Sequence, residues 1–275
     1  DLITFDNWNN SKILAYWKYD DATKPGKDSH SWLGRLNNIR TALQGQQGDR
    51  RLRLGIAGGE WKKMMADATA RTRFASEVKK IIEQYDFDGV DFDFEWPANA
   101  SEYNNYSATV IQMRSTLGKY VYFTASLHPV SFKISPEAID ALDFISYQCY
   151  GPAVMRFPYE QFVKDGEAAV AYGIPKNKLV MGVPFYGSTG SLIAAYCDFV
   201  NDGLATTNED TYTYKGNTYT FNSIETIRKK ARYVCEEDYA GIMSWDLATD
   251  IDITNNKSLL KVIKEEFEYY ANPTE

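Results

Sequence analysis

The stretch Phe87-Asp88-Gly89-Val90-Asp91-Phe92-Asp93-Phe94-Glu95-Trp96-Pro97 leaves a chain few ways to fold. It is short, rich in β-branched and aromatic residues, and closed by Pro97, which is the pattern of a β-strand. Side chains of a strand alternate between its two faces. Val90, Phe92 and Phe94 then share one face, ready to pack under helices, while Asp91, Asp93 and Glu95 share the other. Successive carboxylates stand about 7 Å apart, two residues at roughly 3.3 Å each. A solvated acidic edge leaves the apolar alternate positions unexplained. A calcium loop calls for Asn, Gly and backbone carbonyls on a turn. Like charges disfavour joint ionisation, and burial disfavours the charged form. The row is therefore expected to keep at least one proton near neutral pH, which a general acid requires.

Strand and helix patterns alternate along the rest of the chain. The residue pattern predicts strands over 12–17, 51–59, 120–127, 143–150, 179–187 and 241–246. Helices are expected over 31–44, 69–85, 104–117, 136–142, 159–172, 223–236 and 257–270. A hairpin is expected over 212–221, turning at Lys215-Gly216-Asn217. This alternation argues for a parallel sheet closed by crossover helices. A length of 275 residues suits one (β/α)8 barrel. The first strand has only a stub at 2–5, so it is expected to be irregular or shortened. Between Gly187 and Gly241 the chain is too short for a large α+β insertion domain. No Pro/Ser/Gly linker marks a boundary, so 1–275 reads as a single catalytic domain.

Composition removes several classes of function. At 44% hydrophobic residues the chain can build a substantial core, which excludes disorder. Its net charge of −7, with no basic block, argues against a nucleic-acid partner. No window of about 18 apolar residues is present, so no membrane span is expected. Cys149, Cys197 and Cys235 make no disulfide framework and allow one pair at most. No metal-ligand pattern or cofactor motif stands out. The chain opens on Asp1 rather than Met, which reads as a processed or trimmed end.

Asp88-x-x-Asp91-x-Asp93-x-Glu95 resembles the DxxDxDxE signature of glycoside hydrolase family 18, the chitinases and endo-β-N-acetylglucosaminidases. Further matches support it. Ala57-Gly58-Gly59 resembles the family's SxGG strand, 182–187 its GvPfYG, and 241–245 its GvMxW. The resemblance runs over nearly the whole chain from 12–17 onward. It implies a (β/α)8 barrel with the active site at the carboxyl ends of the strands, and substrate-assisted catalysis instead of the usual two-carboxylate scheme.

The family's roles fall on matching positions. Glu95 corresponds to the proton donor, Asp93 to the residue that holds the substrate's acetamido N–H, and Asp91 to its proton-sharing neighbour. Tyr150 corresponds to the group that binds the acetamido carbonyl. Trp245 would be the platform under the sugar. Gln148, Tyr186, Gly58 and Trp96 are further candidate substrate contacts; Tyr186 reads equally as a packing residue, and Trp61 and Trp96 read equally as outer subsites or as surface packing. Asp88 reads as structural, His128 as a satisfied hydrogen-bonding residue, and Cys149 as a packed thiol.

The match is incomplete at 148–151, where Gln148-Cys149-Tyr150-Gly151 replaces the Met-x-Tyr-Asp of many chitinases. The resemblance implies cleavage of β-1,4-linked N-acetylglucosamine polymers. An endo-β-N-acetylglucosaminidase acting on N-glycan cores, or a non-catalytic lectin on the same barrel, are the alternatives. It also implies a secreted, periplasmic or cell-surface home; a monomer without a cofactor is expected.

Overall fold

The structure, a computed structural model, describes residues 32–44, 50–58, 61–151, 154–205 and 208–272. The strand expected at 12–17 and the stub at 2–5 lie outside the described residues, as does Gly59. Two compact units divide the chain, one running to Ser126 with Lys133–Asp143 added, the other taking Leu127–Phe132 and everything from Phe144 onward.

In the first unit, β1 (Arg53–Gly58), β2 (Gly89–Phe94) and β3 (Tyr122–Leu127) are parallel. Helices α1 (Trp32–Leu43), α2 (Lys62–Ala66), α3 (Ala68–Gln84), α4 (Ala100–Leu117) and α5 (Pro136–Ala141) accompany them. The strand β2 alternates as its sequence demands. Val90, Phe92 and Phe94 are fully buried. Phe92 lies between Phe74 of α3, at 6.1 Å between ring centres, and Tyr106 of α4, at 5.2 Å. Burying such an aromatic contributes about 2–3 kcal/mol. Asp67 caps α3 by accepting from Ala70 N at 2.6 Å, and Asn99 caps α4 by accepting from Glu102 N at 3.0 Å. That cap starts α4 before the expected 104. Asp88 fixes the register: its carboxylate accepts from Leu52 N at 2.7 Å, and its carbonyl accepts from Tyr122 N at 3.0 Å.

The second unit contains β4 (Phe144–Tyr147), β5 (Leu179–Pro184) and, last in the chain, β10 (Gly241–Trp245), again parallel. Helices α6 (Tyr159–Tyr172), α8 (Ile224–Glu236) and α9 (Leu259–Ala271) fall where helical spacing put them. Repeated parallel strands and helices give the (β/α)8 barrel fold, described here over six of its strands.

Two expected strands end early. The one expected over 143–150 stops at Tyr147, because Cys149 N turns back to Tyr147 O at 2.9 Å. The one expected over 179–187 breaks after Pro184, which has no N–H to continue the ladder. Phe185 N instead donates to Trp245 O at 2.8 Å.

The chain then enters a small antiparallel sheet ordered β7-β6-β9-β8, where β6 is Tyr186–Ser188, β7 Ile193–Ala195, β8 Thr211–Tyr214 and β9 Asn217–Thr220. The β8–β9 hairpin turns at Lys215 and Gly216, both at positive φ, as the sequence suggests. The strand β7 and the short helix α7 (Tyr196–Asn201) escaped sequence reading, being too short to show a period.

Candidate active site

In the first unit the acidic row sits on the face of β2 opposite Phe92. Asp91 pairs in register with Gly55 of β1 and Thr124 of β3. Gly55 has no side chain, and a Cβ there would meet nothing within 4 Å. The space beside Asp91 is thus open to Arg53, two residues earlier on β1. Arg53 Nη1 lies 3.2 Å from Asp91 Oδ1 and also donates to Thr124 Oγ1. The Thr124 hydroxyl donates to Asp91 Oδ1, and Ser126 Oγ donates to Oδ2 at 2.7 Å. Asp91 is only 16% exposed, so this web is largely shielded from water.

Further along, Asp93 is half-buried and Glu95 is exposed just past the carboxyl end of β2. Gly58 ends β1 in register with Phe94, and Trp96 is half-buried. Behind the row, Tyr106 donates to Phe92 O at 3.2 Å. Burial first, then the charges of Asp91 and Asp93, push its phenol well above the ordinary tyrosine range.

Trp61 corrects the sequence reading. It is fully buried and packs on Phe74 at 5.5 Å, so it is a core residue and makes no outer contact.

In the second unit Tyr150, Phe157 and Tyr186 form one buried cluster, with Met243 packed against it. The rings of Tyr150 and Tyr186 meet edge to face at 6.4 Å, and Tyr150 Oη contacts Met243 Sδ at 3.4 Å. Gly182 of β5 makes room for this arrangement: a Cβ there would come within 2.8 Å of Tyr150 Cε1. Burial lifts the Tyr186 phenol to about 12, so it stays a neutral donor.

Gln148 is buried, and its N–H donates to Leu127 O at 2.8 Å. Cys149 is a fully buried free thiol. Trp245 ends β10 and leaves 56% of its surface to solvent, an unusual exposure for an indole. Sequence reasoning missed Arg53, Thr124, Ser126 and Met243. Only strand register brings them to their partners, and no local spacing announces it.

Among the described residues no cluster of His, Cys, Asp and Glu could hold a metal ion, and no helix is long and apolar enough to cross a membrane.

Known proteins resemble this chain over most of its length. It is 23% identical to the "Probable chitinase 2" of Drosophila melanogaster, over 79% of this chain and 60% of that protein. The chain thus spans about three fifths of that relative. A chitinase from Bacteroides thetaiotaomicron has the same fold, with a TM-score of 0.73 and 23% identity over 87% of this chain and 82% of that one. So does a family 18 chitinase from Cycas revoluta solved in complex with (GlcNAc)3, with a TM-score of 0.71 and 19% identity over 85% of each. The sequence profile of "Glycosyl hydrolases family 18" matches residues 3–250. With nine tenths of the chain inside that match, Asp91 and Asp93 on one face of β2 and Glu95 just past its end, the chain belongs to glycosyl hydrolases family 18.

Proposed function

We propose that this chain hydrolyses β-1,4 bonds between N-acetylglucosamine residues, as a chitinase. The observation that carries the reading is the graded row on β2. Asp91 is tied down by donors, Asp93 is half-buried, and Glu95 is exposed just past the strand's end. One strand thus offers a fixed anchor, a partner for a polar substrate group, and an accessible acid.

In the reaction, Glu95 gives its proton to the glycosidic oxygen as the C1–O bond breaks. The substrate's own 2-acetamido carbonyl oxygen bonds to C1, forming an oxazolinium ion. Asp93 accepts the acetamido N–H and balances the positive charge. The Glu95 carboxylate then takes a proton from water, whose oxygen bonds to C1 and opens the ring with retained configuration. A second carboxylate nucleophile is not needed. Asp91 and Asp93 lie in line with Glu95 on one strand, where neither could attack from across the sugar. Tyr150 donates to the acetamido carbonyl, and exposed Trp245 supplies a flat apolar face for the sugar ring. Gln148, Tyr186, Gly58 and Trp96 line the sugar. The single catalytic domain spans 1–275, and polymeric substrates place its work outside the cell.

The test is to incubate the protein with chitin oligomers and, separately, with a high-mannose glycoprotein, and to identify the products by mass. Shortened chitin oligomers support the reading. Release of the glycan alone moves the assignment to the endo-β-N-acetylglucosaminidases. Oligomers bound but uncut by the intact protein overturn hydrolysis altogether.

A further inference from the structure

The contacts of Asp91 account for both of its oxygens. Oδ1 receives Arg53 Nη1 and the Thr124 hydroxyl, and Oδ2 receives Ser126 Oγ. A guanidinium can only donate, so Thr124 Oγ1 accepts from Arg53 while its own hydroxyl donates to Asp91 Oδ1. Every one of these groups points hydrogen at the carboxylate. A guanidinium this close favours the charged form of a carboxylate over the protonated one.

We propose that Arg53 is a positioning residue for the hydrolysis: it fixes Asp91 as an acceptor and supplies the counter-charge of the acidic row, so the exchangeable proton stays on Asp93 and Glu95. The inference rests on the chitinase reading above and departs from the proton-sharing role that family resemblance gives Asp91. Arg53 acts through Asp91 and does not need to touch substrate. Among the described residues, the groups with charge or a titratable proton around Asp91 are Arg53 on β1, Asp93 on the same face of β2, and Tyr106 of α4 behind the strand. The neighbours from β3, Thr124 and Ser126, are neutral. Among these only Arg53 is positive, so its removal leaves the row with unbalanced negative charge.

Removing a nearby positive charge makes carboxylates hold their protons to higher pH, by about one unit for a close partner. The experiment is kcat/KM on a chitin oligomer against pH for the wild type, Arg53→Gln and Arg53→Lys. Gln keeps a hydrogen-bond donor and loses the charge, while Lys keeps the charge and loses the planar fork. Arg53→Gln should move the acidic limb upward by about one unit, lowering kcat/KM on that limb about tenfold. Arg53→Lys should restore the wild-type limb. In an Asp91→Asn background, Arg53→Gln should move the limb less than it does in the wild type, because Arg53 acts on the row chiefly through Asp91.

A drop in kcat/KM with an unmoved limb, or an equal shift in both variants, makes Arg53 a structural residue and overturns the proposal. The carboxyl carbon-13 resonances of the row should show the same upward shift in Arg53→Gln, and this reading needs no turnover. A wild type that cuts no sugar polymer therefore fails the chitinase assignment, while the resonances still decide the role of Arg53.

Discussion

His128 holds Tyr150 by its backbone: the imidazole Nε2 lies 3.0 Å from the Tyr150 carbonyl oxygen. The same nitrogen reaches Gly151 O, while Nδ1 accepts from Val130 N at 3.2 Å. With Nδ1 accepting, Nε2 is the nitrogen that donates to the carbonyls. His128 is buried. His128→Leu should destabilise the protein by about 1–3 kcal/mol, the cost of buried groups left without their bonds. It should also lower turnover through a displaced Tyr150. Urea unfolding with an unchanged m-value reads the first effect, and kcat on chitin oligomers the second. An unchanged urea midpoint would remove His128 from this role.

Glu95 is exposed at the end of β2, so Glu95→Gln changes no packed contact of the core. An amide has nearly the same shape and cannot deliver the proton. Hydrolysis should fall by 10² to 10⁴-fold or more, with oligomer binding and the circular dichroism spectrum retained. Near-normal turnover in this variant would sink the assignment of the acid.

Substrate assistance has its own signature. An oligomer in which the 2-acetamido group is replaced by hydroxyl should bind but not turn over. A thiazoline mimic of the oxazolinium ion should inhibit. Mass spectrometry of a trapped reaction should find no sugar bonded to Asp91 or Asp93, and a glycosyl–aspartate adduct would contradict the scheme.

Lys230 is fully buried on α8, and its ammonium nitrogen donates to Phe157 O and Asn222 Oδ1, each at 2.7 Å. Burial lowers it from 10.5 to about 7, against the weaker opposing pull of Cys149, Asp210, Asp165 and Glu160. An unprotonated amine still has hydrogens for both acceptors. Between about 7 and 10.5 the unfolded chain binds the proton that the folded chain has released. Stability therefore rises with pH across that window. The buried Cys149 thiol, raised by burial, acts with the opposite sign only at higher pH, where an unfolded cysteine would ionise. Urea unfolding at pH 7 and pH 8.5 should show a gain for the wild type that is smaller in Lys230→Met. Equal gains in both would mean that Lys230 keeps its proton inside the fold.

The acidic row was legible because a strand writes its two faces directly into alternate residues. From Val90 to Glu95 no tertiary information is needed to sort carboxylates from core. The helix Tyr159–Tyr172 was equally readable, with Gly173 in the left-handed conformation closing it. Strand ends were less so. Gln148 to Tyr150 continue a strand-like composition, and only the turn of Cys149 N onto Tyr147 O shows that the ladder has stopped. Trp61 looked like an exposed aromatic beside a glycine pair, but the packing of α3 buries it. Arg53 was invisible as a site residue. Its partner lies 38 positions away and meets it only through the β1–β2 register.

The break at Pro184 divides what would have been one strand between two sheets, and it places Tyr186 on the small antiparallel one. Tyr186 therefore travels with the β6–β7 and β8–β9 turns. Insertions at 189–192 or at Lys215-Gly216 would re-aim this one ring while the parallel strands kept their register. Under the proposed function, variation in sugar-chain preference would accumulate at the tips of this small sheet and leave the acidic row unchanged.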